Sequence, residues 1–432
     1  MKATACHCLA AICVLLTLCG PALATGNLEA STFLGGSNMD GQYETSCCVD
    51  AEGNIFVASR TKSTDFPVVA GCYDVSHNGG VNDVCVAKFA PDLSTLLAAT
   101  YLGGTGDDGD WTGVALEIDG EGNLFVAGKT NSSDFPHTHG SYSGGWDVFL
   151  VKLDNDLQNV LSSRLIGGSS GEYYVQLAVD ATDRPIISMT TASSGLSTTA
   201  GAIQTVNHGG AGGSYPGDLY ISVYSADLSS QLAATYLGGA GNDFCEGLAV
   251  GADGDLFITG WTSGGFPTTA GAFATVHSGG IYDAFVTRLS PDLTTLVAST
   301  YLGGTNWDFA YGMVLGLNDD LYITGHTASI DLPGVSGGYQ SFYLGTGGPG
   351  VGDDAFVSRL SQDLTTLIGS TYLGSSALEN GTSLDLTPSG ELLIAGFTRS
   401  VLFPVTPGRS MTPTTAPTIS SSRCCRPTCR SS

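Results

Sequence analysis

Six carboxylates recur at one fixed place in this 432-residue sequence. Asp40, Asp108, Glu172, Asp243, Asp308 and Glu379 each lie five residues after the first glycine of a Leu-Gly-Gly signature. Carboxylates combined with loop carbonyls suit a hard, oxygen-seeking ion, so the chemistry to expect of them is Ca²⁺ binding or a cation-attracting rim. A short acidic side chain can equally accept hydrogen bonds from the backbone of its own loop. Recurrence in every copy favours that structural role, because a ligand site rarely needs every repeat. Two more acidic sets keep the same rhythm: Asp83, Asp147, Asp218, Asp283 and Asp354, and Asp92, Asp156, Asp227, Asp292 and Asp363. The last set falls where tight turns are expected. Asp107, Asp108 and Asp110 form the densest acidic spot but lack the other ligands of a calcium loop.

Other reactive groups are sparse. His137-Thr138-His139 places two imidazoles on one side of an extended segment, a spacing that suits a metal pair, with no third ligand in view. There is no Gly-x-Ser-x-Gly elbow and no His-Glu-x-x-His. Trp111, Trp146, Trp261 and Trp307 fit a sugar-binding face or, more simply, packing between repeats. The sequence therefore assigns no catalytic residue and no organic cofactor.

The elements that must position these groups follow from the repeat itself. The first signature glycines are Gly35, Gly103, Gly167, Gly238, Gly303 and Gly374, at intervals of 68, 64, 71, 65 and 71 residues. Each full unit carries four strand patterns. In the fourth, Gly247-Leu248-Ala249-Val250 precedes an Asp253-Gly254 turn and the run Asp255 to Gly260. A long loop with Phe266-Pro267 leads to Asp283 to Leu289, and Pro291-Asp292 turns the chain into Leu296 to Leu302. Asp-Gly between two such runs is a hairpin signal, and no segment has helical periodicity. Four antiparallel strands per unit, repeated around an axis, predict an all-β propeller of about six four-stranded blades.

At these residues the chain resembles the SBBP repeats, a bacterial β-propeller repeat family similar to the NHL propellers. The matching features are G-x-A-x-x-x-D-x-x-G-N-x-F-V-A-G-x-T at Gly113 to Thr130, D-F-P at Asp134 to Pro136, D-A-F-V at Asp283 to Val286 and S-T-Y-L-G-G at Ser299 to Gly304. The third unit departs from it, with Arg184-Pro185 at the Gly-Asn turn and Gly195-Leu196 at Phe-Pro. The resemblance implies a fold and an extracytoplasmic setting and carries no catalytic residues with it.

By analogy with NHL order, the strands are A (Gly-x-Ala), B (Phe-Val-Ala-Gly), C (Asp-x-Phe-Val) and D (Thr-Tyr-Leu-Gly-Gly). Residues 29–36 are then a lone strand D, expected to close the ring by completing the last, incomplete blade. Antiparallel order puts the long B–C loops and the D–A loops on one face, where binding on a rigid scaffold usually resides. The six signature acids belong to that face.

Bulk properties set the context. Lys2, an apolar run from Leu9 to Leu18 and Pro21-Ala22-Leu23-Ala24 read as a signal peptide cleaved after Ala24. Residues 25–408 then form the propeller, with units starting near 35, 103, 167, 238, 303 and 374. The apolar run is shorter than the ~20 residues a spanning helix needs. With 40 acidic against 15 basic residues, the chain lacks the basic surface that nucleic acid demands. Cys47, Cys48, Cys72, Cys85 and Cys245 fall in the mature body, and a bridge from Cys72 to Cys47 or Cys48 is expected. The expectation is a secreted or cell-surface monomer, binding an extracellular protein or glycan through its loop face. The alternative class is an extracellular enzyme acting on polysaccharide or peptide with loop carboxylates as acid and base.

The sixth unit breaks off after Thr406-Pro407-Gly408, and residues 409–432 have no strand pattern. Disorder is one reading of this tail. The codons permitted for Arg409 onward, read one nucleotide earlier, allow D-T-Y-N-G, then D-[I/L/F]-F-V, then L-S-P-D-L-S. The fourth unit reads D-A-F-V-T-R-L-S-P-D-L-T from Asp283 to Thr294. A frameshift near codon 408 accounts for this agreement in content and order.

Overall fold

Short apolar runs punctuated by Asp-Gly and Pro-Asp turns become strands, and the computed structural model contains no helix among its described residues. It describes residues 12–16 (backbone only), 30–41, 45–109, 113–209, 217–316, 319–346, 348–387 and 389–404. After β1 (Ile12–Leu16) and β2 (Ala30–Leu34), the chain folds blade by blade. Blade 1 holds β3 (Ser46–Val49), β4 (Ile55–Thr61), β5 (Asp83–Phe89) and β6 (Leu96–Leu102), and blade 2 holds β7 (Val114–Ile118), β8 (Leu124–Thr130), β9 (Asp147–Leu153) and β10 (Val160–Ile166). Blade 3 holds β11 (Glu172–Val179), β12 (Pro185–Thr191), β13 (Asp218–Tyr224) and β14 (Gln231–Leu237). Blade 4 holds β15 (Asp243–Val250), β16 (Leu256–Thr262), β17 (Asp283–Leu289) and β18 (Leu296–Leu302). Blade 5 holds β19 (Asp308–Leu315), β20 (Leu321–Thr327), β21 (Asp354–Leu360) and β22 (Leu367–Leu373), and a sixth sheet has only β23 (Glu379–Leu386) and β24 (Leu392–Thr398). Each of the five full blades is an antiparallel A-B-C-D sheet.

The middle strands of blades 1 to 3 are buried along their whole length. Their two faces pack against two neighbouring blades, which is why they are apolar at nearly every position rather than at alternate ones. Phe56 and Val86 of blade 1 share a core with Val126 and Phe149 of blade 2. Ile221 of blade 3 packs with Ile258 and Phe285 of blade 4, and Phe257 and Val286 pack with Ile323 and Phe356 of blade 5.

The turns behave as their chemistry requires. In every C–D turn a leucine takes a left-handed conformation: Leu93, Leu157, Leu228, Leu293 and Leu364, with φ between 56° and 61°. This costs a non-glycine residue free energy, which burial of the leucine side chain offsets. In the Asp-Leu turns of blades 1, 3, 4 and 5 the aspartate accepts a backbone N–H two residues on, as Asp92 does from Ser94 at 3.0 Å. The turn role expected for this acidic set is what Asp92, Asp227, Asp292 and Asp363 show, while in blade 2 Asp154 rather than Asp156 accepts the turn N–H groups.

Two expectations are corrected. Residues 29–36 do not complete the last blade: Ala30–Leu34 pairs antiparallel with Ile12–Leu16. A strand D hydrogen-bonds to a strand C, and the sixth sheet has none among the described residues, so β2 has nothing to join there. The consequence is visible on β24, where Leu393 and Phe397 are 44% and 47% exposed. The second correction concerns cysteine. Cys47, Cys48, Cys72, Cys85 and Cys245 are all free thiols, and the Cys72 Sγ lies 3.9 Å from the Asp156 carbonyl.

Because cohesion lies between blades, removing one inter-blade ring should cost more than removing a surface side chain. Phe285 is fully buried and stacks on Phe266 at 4.0 Å. Phe285→Ala is expected to lower unfolding stability by about 3–5 kcal/mol, measured by urea denaturation. Val297→Thr, at a position 41% exposed, should change it by less than about 0.5 kcal/mol.

Candidate functional site

Across the top of each blade runs a row of residues that does not vary. Strand A begins at the signature acid, strand B ends at a threonine, and strand C begins at an aspartate. In blade 4 these are Asp243, Thr262 and Asp283, paired side by side across the sheet. The row recurs as Glu172–Thr191–Asp218 and Asp308–Thr327–Asp354. Two isolated bridges supply it in blades 1 and 2: Asp40 to Thr61 and Asp108 to Thr130.

The signature acids are buried, at 0–2% exposure, and their oxygens are turned into their own loops. Asp308 accepts the Gly304 N–H at 2.8 Å, the Thr327 hydroxyl at 2.5 Å and the Ser329 hydroxyl at 2.8 Å. Asp40 accepts Gly36 N–H, Ser63 and Thr61, and Glu379 accepts Ser375 N–H and Thr398. The strand C aspartates do the same for the B–C loops: Asp83 accepts Asn78 N–H at 2.6 Å, and Asp354 accepts Leu344 N–H at 2.8 Å.

These two acidic sets meet at the signature glycine. A Cβ on Gly103 would sit 2.7 Å from Asp83 Oδ1 and 2.9 Å from Asp108 Oδ2. On Gly238 it would meet Asp243 Oδ2 at 2.5 Å and Asp218 Oδ1 at 2.7 Å. The glycine is there for space, since only a residue without a side chain leaves room for both carboxyls. Asp83, Asp108, Asp147, Asp218, Asp283 and Asp354 each keep a buried Oδ1 with no hydrogen-bond partner among the described residues. Burial pushes Asp243 and Asp308 up to about 7, against hydrogen bonds that lower them, and the facing carboxyl adds the smallest part. Burial also pushes Asp83 and Asp283 to about 7 and Asp108, Asp147 and Asp354 to about 6. Buried carboxyls gathered around one glycine favour the neutral form, which avoids the cost of burying charge.

Next to this constant row lie two variable positions, the first of which differs in every unit. One residue before the strand B threonine stand Arg60, Lys129, Thr190, Trp261, His326 and Phe397; one after the signature acid stand Gly41, Gly109, Tyr173, Phe244, Phe309 and Asn380. The first strands of all six sheets line one cavity of about 460 Å³. Its upper lining includes Thr45, Val114, Val175, Glu246, Tyr311 and Thr382, and two residues on come Leu116, Leu177, Leu248, Met313 and Leu384, an apolar collar. On blades 4 and 5 an aromatic cluster lies beside the lining residues Glu246 and Tyr311. Phe244 stacks on Trp261 at 3.5 Å, and Trp261 meets Tyr282 at 4.8 Å and Phe309 at 5.0 Å. Phe309 stacks on His326 at 4.6 Å. The Trp261 indole N–H donates to Glu246 at 3.1 Å. Asp353 Oδ2 lies 2.8 Å from His326 Nδ1, and Tyr311 Oη lies 3.2 Å from His326 Nε2.

The other sequence candidates separate. His137 Nδ1 contacts its own Phe135 carbonyl at 2.7 Å, while His139 lines a different cavity with Lys152 and Asp227. Among the described residues no group of three or more His, Cys, Asp or Glu could hold a metal ion. Asp107 takes up the Val81 N–H, and Asp110 and Trp111 lie outside the described residues. Trp146, Trp261 and Trp307 all carry ring or cation contacts near the mouth: Lys129 Nζ sits 4.3 Å over Trp146, and Trp307 meets Tyr282 at 5.8 Å. Reading along the sequence missed Glu246, Tyr311, His326 and Asp353. Comparison of the same position across units is the signal that finds them.

Fold and site together define a repeat propeller with a constant framework and a variable mouth. Two stretches, residues 99–136 and 234–267, match the beta-propeller repeat of the SBBP family, so the chain carries SBBP repeats. Each match runs from a strand D through the next blade's A and B strands into its loop. No curated protein matches the sequence. Among solved structures, a protein of unknown function from Dyadobacter fermentans is 12% identical over 84% of this chain and 95% of its own, with a TM-score of 0.43. The α-L-arabinofuranosidase Arb93A of Fusarium graminearum is 10% identical over 82% and 87%, at 0.44. An ulvan lyase of polysaccharide lyase family PL25 is 11% identical over 84% and 78%, at 0.44. Similarity at this level carries no argument about function.

The paired carboxyls make stability depend on pH. The folded values of Asp83, Asp108, Asp243, Asp283 and Asp308 are raised, so their contribution is whole below the ordinary carboxylate range near ~4 and is lost as pH rises through about 6 to 7. Turn acids work the other way: the Ser225 hydroxyl holds Asp227 down at about 2, and Ser290 lowers Asp292. Their contribution is present above ~4 and lost in acid. The melting temperature should therefore be higher at pH 5 than at pH 8, with a smaller difference in Asp83→Asn. A melt no higher at pH 5 would refute the neutral form. A rise with millimolar Ca²⁺ at pH 8, removed by Asp83→Asn, would instead identify a cation held by the pair.

Proposed function

We propose that this protein is a secreted or cell-surface binding propeller whose ligand seat is the mouth of the central cavity. One observation carries the reading. Five copies of one unit keep the acid–threonine–aspartate row, while the position before the threonine becomes Arg60, Lys129, Thr190, Trp261 and His326 in turn. Packing alone would let equivalent positions stay alike. Unlike residues gathered at one mouth serve a ligand that touches several blades at once. The test is label-free binding of the leaderless protein to extracellular polypeptides and glycans. Trp261→Ala should weaken capture by about tenfold or more, and Val297→Thr on the outer strand of blade 4 should not. Equal effects of the two would move the seat elsewhere.

A second reading is favoured by one specific feature. The Asp353–His326–Tyr311 chain occurs on blade 5 alone among the described blades and ends on the cavity lining. A carboxylate that orients a histidine against a hydroxyl is an arrangement used for proton transfer. An extracellular enzyme would use it where the scaffold reading needs only a hydrogen-bonding rim.

The architecture we propose for the native protein is a closed six-bladed ring. The bare edge of β24 supports it. A shifted frame would supply strand C of the last blade. Cleavage after Ala24 would remove β1 and free Ala30–Leu34 to stand beside that strand. The nucleotide sequence from codon 400 onward decides the point. A shifted frame reading D-x-F-V and then L-S-P-D-L-S is the expected result, and an early stop in that frame would exclude it.

A further inference from the structure

Resting on the mouth as the ligand seat, we infer that blades 4 and 5 form a subsite for an uncharged carbohydrate. The two blades use equivalent positions in the same way. On blade 4, Glu246 of strand A accepts a hydrogen bond from Trp261 of strand B, above Phe244. On blade 5, Tyr311 of strand A meets His326 of strand B, above Phe309. Each unit thus presents an aromatic plate edged by a polar group from the neighbouring strand. Trp261, which touches Tyr174 of blade 3 and Phe309 of blade 5, joins the plates into one surface. Phe244, Phe309 and His326 are buried and form the floor, while Trp261, Tyr282, Trp307 and Tyr311 are only partly buried, so these four are the reachable part of the surface.

The fold does not need these rings. Gly41 and Gly109 occupy the place of Phe244 and Phe309, and Arg60, Lys129 and Thr190 occupy that of Trp261, in blades that pack just as closely. A plate that is dispensable for packing and edged by hydrogen-bonding groups matches a sugar ring, which offers an apolar C–H face and a rim of hydroxyls. A carboxylate such as Glu246 accepts from two hydroxyls, while a tyrosine hydroxyl both donates and accepts.

Charge narrows the class. The ionisable groups of the two plates are the acids Glu246 and Asp353 and the histidine His326, on a chain of formal net charge −25. Lys129 lies on blade 2, with blade 3 between, only 4% exposed and over Trp146. Uronate or sulfated sugars would face carboxylates with no basic side chain on either plate, so an uncharged oligosaccharide fits and a polyanionic one does not.

The experiment is calorimetric titration and saturation-transfer NMR of the leaderless protein with xylo-, cello-, malto- and chito-oligosaccharides, with oligogalacturonate as the charged contrast. At least one uncharged series should bind and quench tryptophan fluorescence. Trp261→Ala should weaken it by about tenfold or more, and Tyr311→Phe by a smaller factor with the fold intact. Circular dichroism and the melt check each variant, and Trp261→Phe, which keeps a plate, should retain most of the binding. If no uncharged sugar binds while a polypeptide or oligogalacturonate does so through Trp261, the carbohydrate assignment falls and the mouth reading stands. Sugar binding indifferent to Trp261 and Tyr311 would overturn the subsite. If no ligand of any class depends on the mouth, both readings fail together.

Discussion

A loop that leaves one blade and enters the next must satisfy its backbone donors without water, and a buried carboxylate does this at each junction. In blade 5, Asp308 gathers a glycine N–H, a threonine hydroxyl and a serine hydroxyl around one group. The facing strand C aspartate gathers the B–C loop. Two acids and a threonine thereby fix where both loops of a blade begin, and so fix where the mouth residues point. The same constraint dictates the glycine between the acids, the raised carboxyl values and the close approach of neighbouring blades. Burying so much potential charge is tolerable because each acid is hydrogen-bonded and can take up a proton.

The hydrophobic part of the structure is simpler and follows from it. Once the loops hold successive blades at one angle, the central strands have apolar neighbours on both faces. Val86, Val126 and Phe149 need no polar side to meet solvent. The outer strands, which do face water, start with half-exposed positions such as Leu97 and Val297. The sixth sheet, which has two strands among the described residues, shows what the rule prevents, since the apolar residues of β24 lie open.

Much of this was legible in the sequence. The repeat interval, the four strands of each unit and the turn role of Asp92 and its equivalents all rest on local patterns, which survive folding unchanged. The six signature acids were found at once, but not their orientation. An aspartate in an exposed calcium loop and one capping a buried loop share the same local signature, and their distinction lies in Thr61 or Thr327, about 20 residues away. The mouth was harder still. Trp261 and His326 are the unnamed x of a Gly-x-Thr motif, the position a consensus leaves blank. Closure by residues 29–36 failed as an expectation because it supposed a strand C that the described residues lack.

The division between a constant row and its variable neighbours has a consequence for how such a protein changes over time. Duplicating one unit copies the whole framework, with acid, threonine, aspartate and glycine arriving together, so a new blade is foldable on the day it appears. The handful of residues beside that row can then drift one blade at a time. Arg60, Lys129, Thr190, Trp261 and His326 read as the record of that drift, a single ancestral position given five separate careers.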